Sequence, residues 1–186
     1  MRSRSVVLGA AVLLSLAACD HRAEATKDDD ELPPVTLVEQ PAASAGGACI
    51  LWDYAMINAK IGVKFNVAAS DQVDDTSTCV VQTVEGDWPD LALSVVESTQ
   101  ADADLFLSDL KPDKAAKLKG LGKAAYRLNT AASGGHGPVV EIGWLSEAKQ
   151  LQTLRFTFAK TAKAADVTAM NTRLLALAKA MDTTAG

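Results

Sequence analysis

Residues 139–158 read VVEIGWLSEAKQLQTLRFTF, in which two apolar runs, 139–145 and 151–158, flank a short polar link. Both runs are rich in β-branched and aromatic residues, which is typical of β-strands. A link of this length joins two strands that pair side by side and run in opposite directions. The stretch therefore predicts a β-hairpin and favours antiparallel pairing in the sheet to which it belongs.

Four segments upstream also predict strands, because they alternate apolar with polar residues or are rich in β-branched residues. They are residues 63–68, 78–84, 91–96 and 125–129. The polar stretch 70–77 is predicted to be a loop, and 112–119 a further helical turn. Together with the hairpin, these segments predict a sheet of about six strands.

Three segments place apolar residues at helical spacing. The first begins after Asp53, a typical N-cap residue, and ends at Gly62. The second begins after Thr99 and runs to about residue 110, and the third is capped by Asp166 near the C-terminus. Helices cover the apolar face of a sheet. The sequence thus predicts an α+β domain in which two or three helices pack on a mainly antiparallel sheet.

The N-terminus has the features of an export signal. Arg2 and Arg4 precede an apolar run from residue 6 to residue 18. A basic start followed by a short apolar segment and small residues is typical of a signal peptide. The run is shorter than the about 20 residues that a helix needs to cross a bilayer. We therefore predict that residues 1–18 are removed.

The end of this run, Leu16-Ala17-Ala18-Cys19, resembles the lipobox of bacterial lipoproteins. The resemblance implies that the Cys19 thiol receives a diacylglyceryl group and that acyl chains such as palmitate anchor the protein on the extracytoplasmic face of the cell membrane. Residues 19–47 are acidic, contain prolines and have few aromatic residues, which is typical of a disordered tether. A single folded domain is expected at residues 48–182.

The remaining cysteines, Cys49 and Cys79, form an even pair in an exported chain. Oxidising compartments favour disulfides, so we expect a bridge between the two. The alternatives are two buried thiols or half of a metal site. Zinc is disfavoured because the domain contains one histidine and no Cys-x-x-Cys motif. We expect no metal and no cofactor.

The charge balance bears on the class of partner. The chain has 18 basic and 23 acidic residues, a net charge of −5, and removal of Arg2 and Arg4 leaves −7. This acidic balance argues against a nucleic-acid partner, since nucleic-acid binding depends on basic surfaces.

Charge is nevertheless distributed in blocks within the domain. Residues 65–110 contain ten acids and no Lys or Arg, whereas 111–127 contain six bases and one acid. The simpler interpretation is that the two blocks neutralise each other on solvated faces. The functional one is a basic contact patch for an anionic envelope surface or an envelope protein. Its predicted members are Lys114, Lys117, Lys119 and Lys123.

No catalytic motif stands out. His136 lies in the glycine-rich connector 133–138 and is expected to be a solvent-exposed loop residue. Gly120-x-Gly122-Lys123 lacks the spacing of a phosphate loop and is interpreted as a turn. The acids Asp71, Asp74, Asp75 and Asp87 fit no calcium-binding loop spacing. Trp88, beside Pro89 in a polar turn, is the aromatic residue hardest to bury and is a candidate ligand or partner contact.

Several segments resemble the actinobacterial lipoprotein family called domain of unknown function 3558. They are Cys49-Ile50-Leu51 before the first helix, Cys79 at a strand, residues 119–126 and residues 139–145. The resemblance implies an exported lipoprotein and no particular activity. We expect a membrane-anchored, non-catalytic binding or accessory module of the cell envelope. The alternatives are an envelope hydrolase with a carboxylate-only site and a carrier of small molecules or lipids.

Overall fold

The computed structural model describes residues 40–97 and 100–182. One sheet has the strand order β1-β2-β3-β7-β6-β5-β4, and every neighbouring pair is antiparallel. The strands are β1 (Val67–Val73), β2 (Thr76–Thr83), β3 (Gly86–Glu97), β4 (Ala116–Leu118), β5 (Ala124–Thr130), β6 (Val139–Leu145) and β7 (Gln150–Thr157). The predicted α+β class is confirmed, with seven strands where about six were expected.

The hairpin predicted from residues 139–158 lies in the middle of this sheet. Within it, Ile142 of β6 pairs with Leu154 of β7. β7 also pairs with β3, which places Leu93 opposite Leu154. All three side chains are fully buried. β7 therefore joins β1–β3 to β4–β6 in one continuous apolar layer.

The first helix forms where the sequence predicts it. α1 (Tyr54–Ile61) begins after Asp53, whose Oδ1 accepts a 2.8 Å hydrogen bond from the Ala55 backbone N–H. It ends at Gly62, which has a left-handed conformation with φ 78°. This conformation favours glycine because a Cβ atom is strained there.

The last helix, α3 (Ala164–Asp182), begins two residues before the predicted cap. Asp166 lies in its first turn, and its Oδ2 accepts a 2.9 Å hydrogen bond from the Lys163 backbone N–H. The predicted apolar face of α3 is confirmed, since it buries Met170, Leu174, Leu177 and Met181 in the main core.

The second predicted helix is shorter and starts later than expected. α2 (Ala103–Leu105) is followed by a π-helical turn, Phe106–Leu110. Its N-cap is Asp102, whereas the predicted cap, Thr99, lies outside the described residues. The Phe106 ring stacks on Tyr126 of β5, with centroids 5.8 Å apart. This segment therefore forms a small second core on the opposite face of the sheet.

Both edge strands differ from the prediction. The stretch 70–77 was expected to be a loop, but β1 runs to Val73 and β2 begins at Thr76, which leaves only a two-residue turn. β4 lies in the stretch 112–119 that was expected to be a helical turn. An edge strand pairs on one side only and can expose both faces. Polar residues then replace the apolar alternation that marks a half-buried strand.

The folded domain begins earlier than the predicted boundary at residue 48. Two 3-10 helices, Ala42–Ala45 and Gly47–Leu51, pack beside β1 and β2. Ala42 is only 1% exposed and Ala48 only 4%. The prediction that residues 42–47 belong to the tether is therefore wrong. Their small side chains resemble a linker in composition but fit closely against the edge of the sheet.

Candidate functional site

The predicted disulfide is confirmed. Cys49 and Cys79 are bonded, their Cα atoms lie 4.9 Å apart, and both residues are fully buried. The bridge ties the 3-10 helix Gly47–Leu51 to β2. Closing a loop of this length stabilises a fold by roughly 3–4 kcal/mol in the chain-entropy model.

The predicted lipid anchor lies outside the described residues. This applies to the signal peptide 1–18, to Cys19 and to the tether as far as residue 39. Within residues 40–97 and 100–182, no helix combines the length and the apolar character needed to cross a membrane.

The structure brings the four predicted contact lysines to one edge of the sheet. Lys117 lies on β4, the outermost strand, and Lys114 precedes it. Lys119 and Lys123 lie in the link to β5, and all four residues are exposed. We call these four residues the basic edge. Lys123 has an acidic neighbour, with its Nζ 4.0 Å from Glu147 Oε2.

Lys111 belongs to the same basic segment but is not part of this surface. It is half-buried, and its Nζ donates hydrogen bonds to the carbonyl oxygens of Pro112 and Ala115 at 3.3 and 3.4 Å. The six bases of this block therefore divide into Lys111, whose hydrogen bonds hold the chain before β4, the half-buried Arg127 of β5, and the four exposed lysines of the basic edge.

A second group of polar residues meets where β3 begins and β7 ends. Asp90 of β3 pairs with Thr157 of β7. His136, from the link between β5 and β6, lies beside Trp88, with ring centroids 5.3 Å apart. We call Trp88, Asp90, His136 and Thr157 the polar corner. Trp88, the predicted contact residue, is half-buried there.

His136 is half-buried, although the sequence predicts an exposed loop histidine. Its Nδ1 lies 2.6 Å from the Gly137 carbonyl oxygen, and because a carbonyl only accepts, Nδ1 must donate. The Gly137 N–H donates to the Phe158 carbonyl at 2.7 Å, and the Phe158 N–H donates to the Pro138 carbonyl at 3.0 Å. These bonds fix the glycine-rich link against the end of β7.

Asp90 is the carboxylate of the polar corner. Its Oδ1 is buried and has no hydrogen-bond partner among the described residues. Burial raises the pKa of the Asp90 carboxyl above its ordinary value of 3.8, outweighing the opposing effects of Thr157, Arg155 and His136. A carboxyl whose pKa is raised by burial is a candidate functional group.

Sequence reasoning missed this grouping. Asp90 lies within a predicted turn-and-strand region, and His136 lies in a connector far along the chain. The antiparallel pairing of β3 with β7 places Asp90 at the end of β7, and the hydrogen bonds between Phe158 and residues 137–138 hold the His136 link there as well. Trp88 was the one available signal, since an aromatic residue in a polar turn needs a packing partner.

A groove with a volume of about 340 Å³ lies between α3 and the end of β7. Pro89 lines it from β3, so the groove and the polar corner share the start of that strand. Phe156, Phe158 and Met170 form its apolar floor, and Asp166 and Arg173 are its charged lining residues. Another depression, of about 440 Å³, is lined by Gln40 and Pro41, where the described residues begin.

The turn interpretation of Gly120 and Gly122 agrees with the structure. Both have positive φ, 73° and 49°, in the link between β4 and β5. A Cβ atom on Gly122 would lie 2.2 Å from the Leu145 carbonyl oxygen. The Gly122 N–H donates to Asp182 Oδ2 at 3.1 Å. The glycines therefore allow close packing between this link, β6 and the end of α3.

The acidic residues weighed as calcium ligands are spread along the first hairpins. Asp71 lies on β1, Asp74 and Asp75 form its turn, and Asp87 lies at the start of β3, all of them exposed. Across the described ranges 40–97 and 100–182, no group of three or more His, Cys, Asp or Glu residues is arranged to hold a metal ion.

No family model, no curated protein and no solved structure matches this chain. Function must therefore be inferred from the three surfaces described above: the basic edge, the polar corner and the groove.

Proposed function

We propose that this chain is the precursor of an extracytoplasmic lipoprotein whose folded domain is a non-catalytic binding module of the cell envelope. Acylated Cys19 holds the mature protein on the membrane, and the basic edge contacts an anionic membrane surface. The observation that carries the proposal is the position of Lys114, Lys117, Lys119 and Lys123, all exposed, on a short edge strand and its link.

The electrostatic attraction between the basic edge and an anionic membrane is weak for each residue but adds up over four lysines. A basic residue near an anionic membrane contributes about 1 kcal/mol, and the attraction fades within a Debye length of about 8 Å at physiological salt. Four such residues cannot hold a free protein firmly. They can orient a domain that a lipid anchor already keeps close to the membrane.

The buried disulfide supports the predicted compartment. Cys49 and Cys79 are bonded in the core, and structural disulfides are typical of exported proteins. This agrees with the lipobox resemblance at residues 16–19, which implies export on independent grounds.

Mass spectrometry tests the anchor. The membrane fraction of cells that express the full chain should contain a protein cleaved before Cys19 and carrying added acyl mass. Cys19→Ser should leave the leader attached. A wild-type chain that retains the leader and an unmodified Cys19 would refute the lipoprotein assignment.

Vesicle sedimentation tests the contact surface. The mature chain, residues 19–186 with Cys19→Ser, is mixed with vesicles of anionic or zwitterionic lipid at low and physiological salt. We expect binding to anionic vesicles that weakens with salt. The four lysines of the basic edge changed to Gln should remove most of this binding.

A matched control variant distinguishes an effect of where the lysines lie from an effect of the protein's net charge. Lys60, Lys64, Lys160 and Lys163 are also exposed, and their change to Gln alters the net charge by the same amount. This variant should keep most of its binding. Equal losses in the two variants, or no binding by the unchanged chain, would refute the basic edge as the contact surface.

The groove favours a second candidate function, the binding of a small molecule. Its apolar floor and two charged lining residues have the composition of a ligand site. This function does not compete with membrane contact, because the groove is lined by α3 and β7 whereas the basic edge surrounds β4.

A further inference from the structure

The groove between α3 and β7 has a floor suited to an apolar side chain. Phe156 and Phe158 meet edge to face, with centroids 4.7 Å apart, and Met170 lies beside them. Aromatic rings and a flexible thioether adapt to differently shaped apolar groups. The volume of about 340 Å³ lies at the lower end of the range of about 300–1,000 Å³ that is usual for small-molecule sites.

Two opposite charges line the groove on the same helix. Asp166 and Arg173 are seven residues apart on α3, which corresponds to about 10 Å along the helix axis. Asp166 Oδ2 accepts a 2.9 Å hydrogen bond from the Lys163 N–H, and Arg173 Nη1 donates a 3.1 Å hydrogen bond to the Ile61 carbonyl. Each side chain is therefore held in place by the fold.

Each of these side chains also keeps part of its charged group available. Among the described residues, Asp166 Oδ1 and the remaining N–H groups of Arg173 have no hydrogen-bond partner, and the two side chains form no ion pair with each other. A carboxylate accepts hydrogen bonds from an ammonium group, and a guanidinium donates to a carboxylate. The groove thus presents one site for each kind of charge, with apolar surface between.

We propose that this groove binds a short apolar peptide with free termini, its ammonium group at Asp166 and its carboxylate at Arg173. An extended chain rises about 3.3 Å per residue, so a peptide of about three residues spans the two charges. Its apolar side chain occupies the floor formed by Phe156, Phe158 and Met170. This proposal rests on the second candidate function, for which it names the ligand class, and is independent of membrane contact by the basic edge.

Calorimetric titration of the mature chain, residues 19–186 with Cys19→Ser, tests the proposal. The probe is the tripeptide Leu-Phe-Leu, compared with its N-acetylated and C-amidated forms. We expect saturable binding of the free tripeptide, and each blocked terminus should weaken it about tenfold because a charge-assisted contact is lost.

Substitutions on α3 locate the two contacts. Asp166→Asn retains an acceptor for the Lys163 N–H and removes the charge. It should therefore weaken binding of the free tripeptide about tenfold and leave binding of the acetylated form unchanged. Arg173→Gln should behave in the same way toward the amidated form. This crossed pattern identifies which terminus meets which residue, and a general loss of structure would not produce it.

Ala169 allows the groove itself to be blocked. It lines the groove and is exposed, so Ala169→Trp should fill the space and abolish binding. Ala176→Trp, at another exposed position of α3 outside the groove, is the matched control and should bind normally. The proposal is overturned if the free tripeptide fails to bind, if Ala169→Trp binds it normally, or if laurate binds instead with no dependence on Asp166.

Discussion

The two halves of the sheet protect their edges in different ways. In the first half, β1–β3, the edge strand β1 packs beside two 3-10 helices, and the Cys49–Cys79 disulfide fastens one of these helices to β2. In the second half, β4–β6, the edge strand β4 has three residues and is surrounded by lysines. One end of the sheet has helices packed beside its edge strand and fastened by a disulfide, and the other has an edge strand that is short and charged. Packing of other elements near an edge, and short charged edge strands, are two known ways to prevent edge-to-edge pairing.

This difference matters for function. β1 stays exposed at six of its seven residues, but the two 3-10 helices pack against it and β2 and occupy part of this end of the sheet. A charged edge stays exposed, and the same lysines that repel another sheet attract an anionic surface. The second half is therefore the half in which protection and binding coincide.

The largest effect is expected from removal of the disulfide in the first half. The double substitution Cys49→Ala and Cys79→Ala should lower the free energy of unfolding by roughly 3–4 kcal/mol, because the unfolded chain regains the freedom of the closed loop. Urea denaturation measures the change, with Cys19→Ser as a control that should unfold at the same urea concentration as the unchanged chain. An unaltered midpoint in the double variant would show that the covalent link does not hold this edge.

The second half should be sensitive to substitution at Gly122, where a positive φ and a close backbone contact coincide. Gly122→Ala places a Cβ atom against the Leu145 carbonyl at a positive φ, and we expect a loss of about 2–3 kcal/mol from strain and displaced backbone. In Gly120→Ala the nearest atom is the flexible Lys179 Nζ at 3.8 Å, so only the positive φ, about 1 kcal/mol, opposes it. Equal losses at the two positions in thermal unfolding would contradict the close packing of this link against β6.

The role of the lysines in edge protection can be tested apart from membrane binding. Lys117→Thr and Lys119→Thr together remove two charges from β4 and its link and introduce residues that favour strands. Sedimentation velocity should then show self-association that increases with protein concentration. The matched pair Lys60→Thr and Lys64→Thr, on and just after α1 and outside β4 and its link, should remain monomeric to the same extent as the unchanged chain. Identical behaviour of both pairs would restrict the basic edge to its binding role.

The smallest effect is expected at Asp90, where the first half meets β7. The folded-state pKa of Asp90 is raised, so folding favours the protonated carboxyl over the charged one. The contribution of this preference to the free energy of unfolding is fully present below pH 3.8 and is lost as the pH rises through the raised pKa. Asp90→Asn removes this titration, so the stability of the variant relative to the unchanged chain should increase over that pH window. Urea denaturation at a series of pH values measures the difference. A difference that stays constant with pH would contradict the raised pKa.

Apolar patterning predicted most of the central fold. The hairpin at 139–158 and α1, with Asp53 and Gly62 at its ends, form as expected because their own residues carry the signal: apolar spacing, a capping side chain and a glycine that tolerates positive φ. α3 follows its predicted apolar face for the same reason. The sequence placed β1 too early, at 63–68, and missed β4, because edge position, which only the assembled sheet defines, removes the apolar alternation.

The Cys49–Cys79 bridge was predictable from the cysteine count and the export signal, and the α+β class from the spacing of apolar residues along the chain. Tertiary structure alone decided which distant residues became neighbours. Pairing of β3 with β7 set Asp90 near His136, burial then raised the pKa of Asp90, and packing of α3 beside the end of β7 created the groove. The physical reason is that periodicity records which face of an element is buried, whereas strand order and helix docking determine what lies against that face.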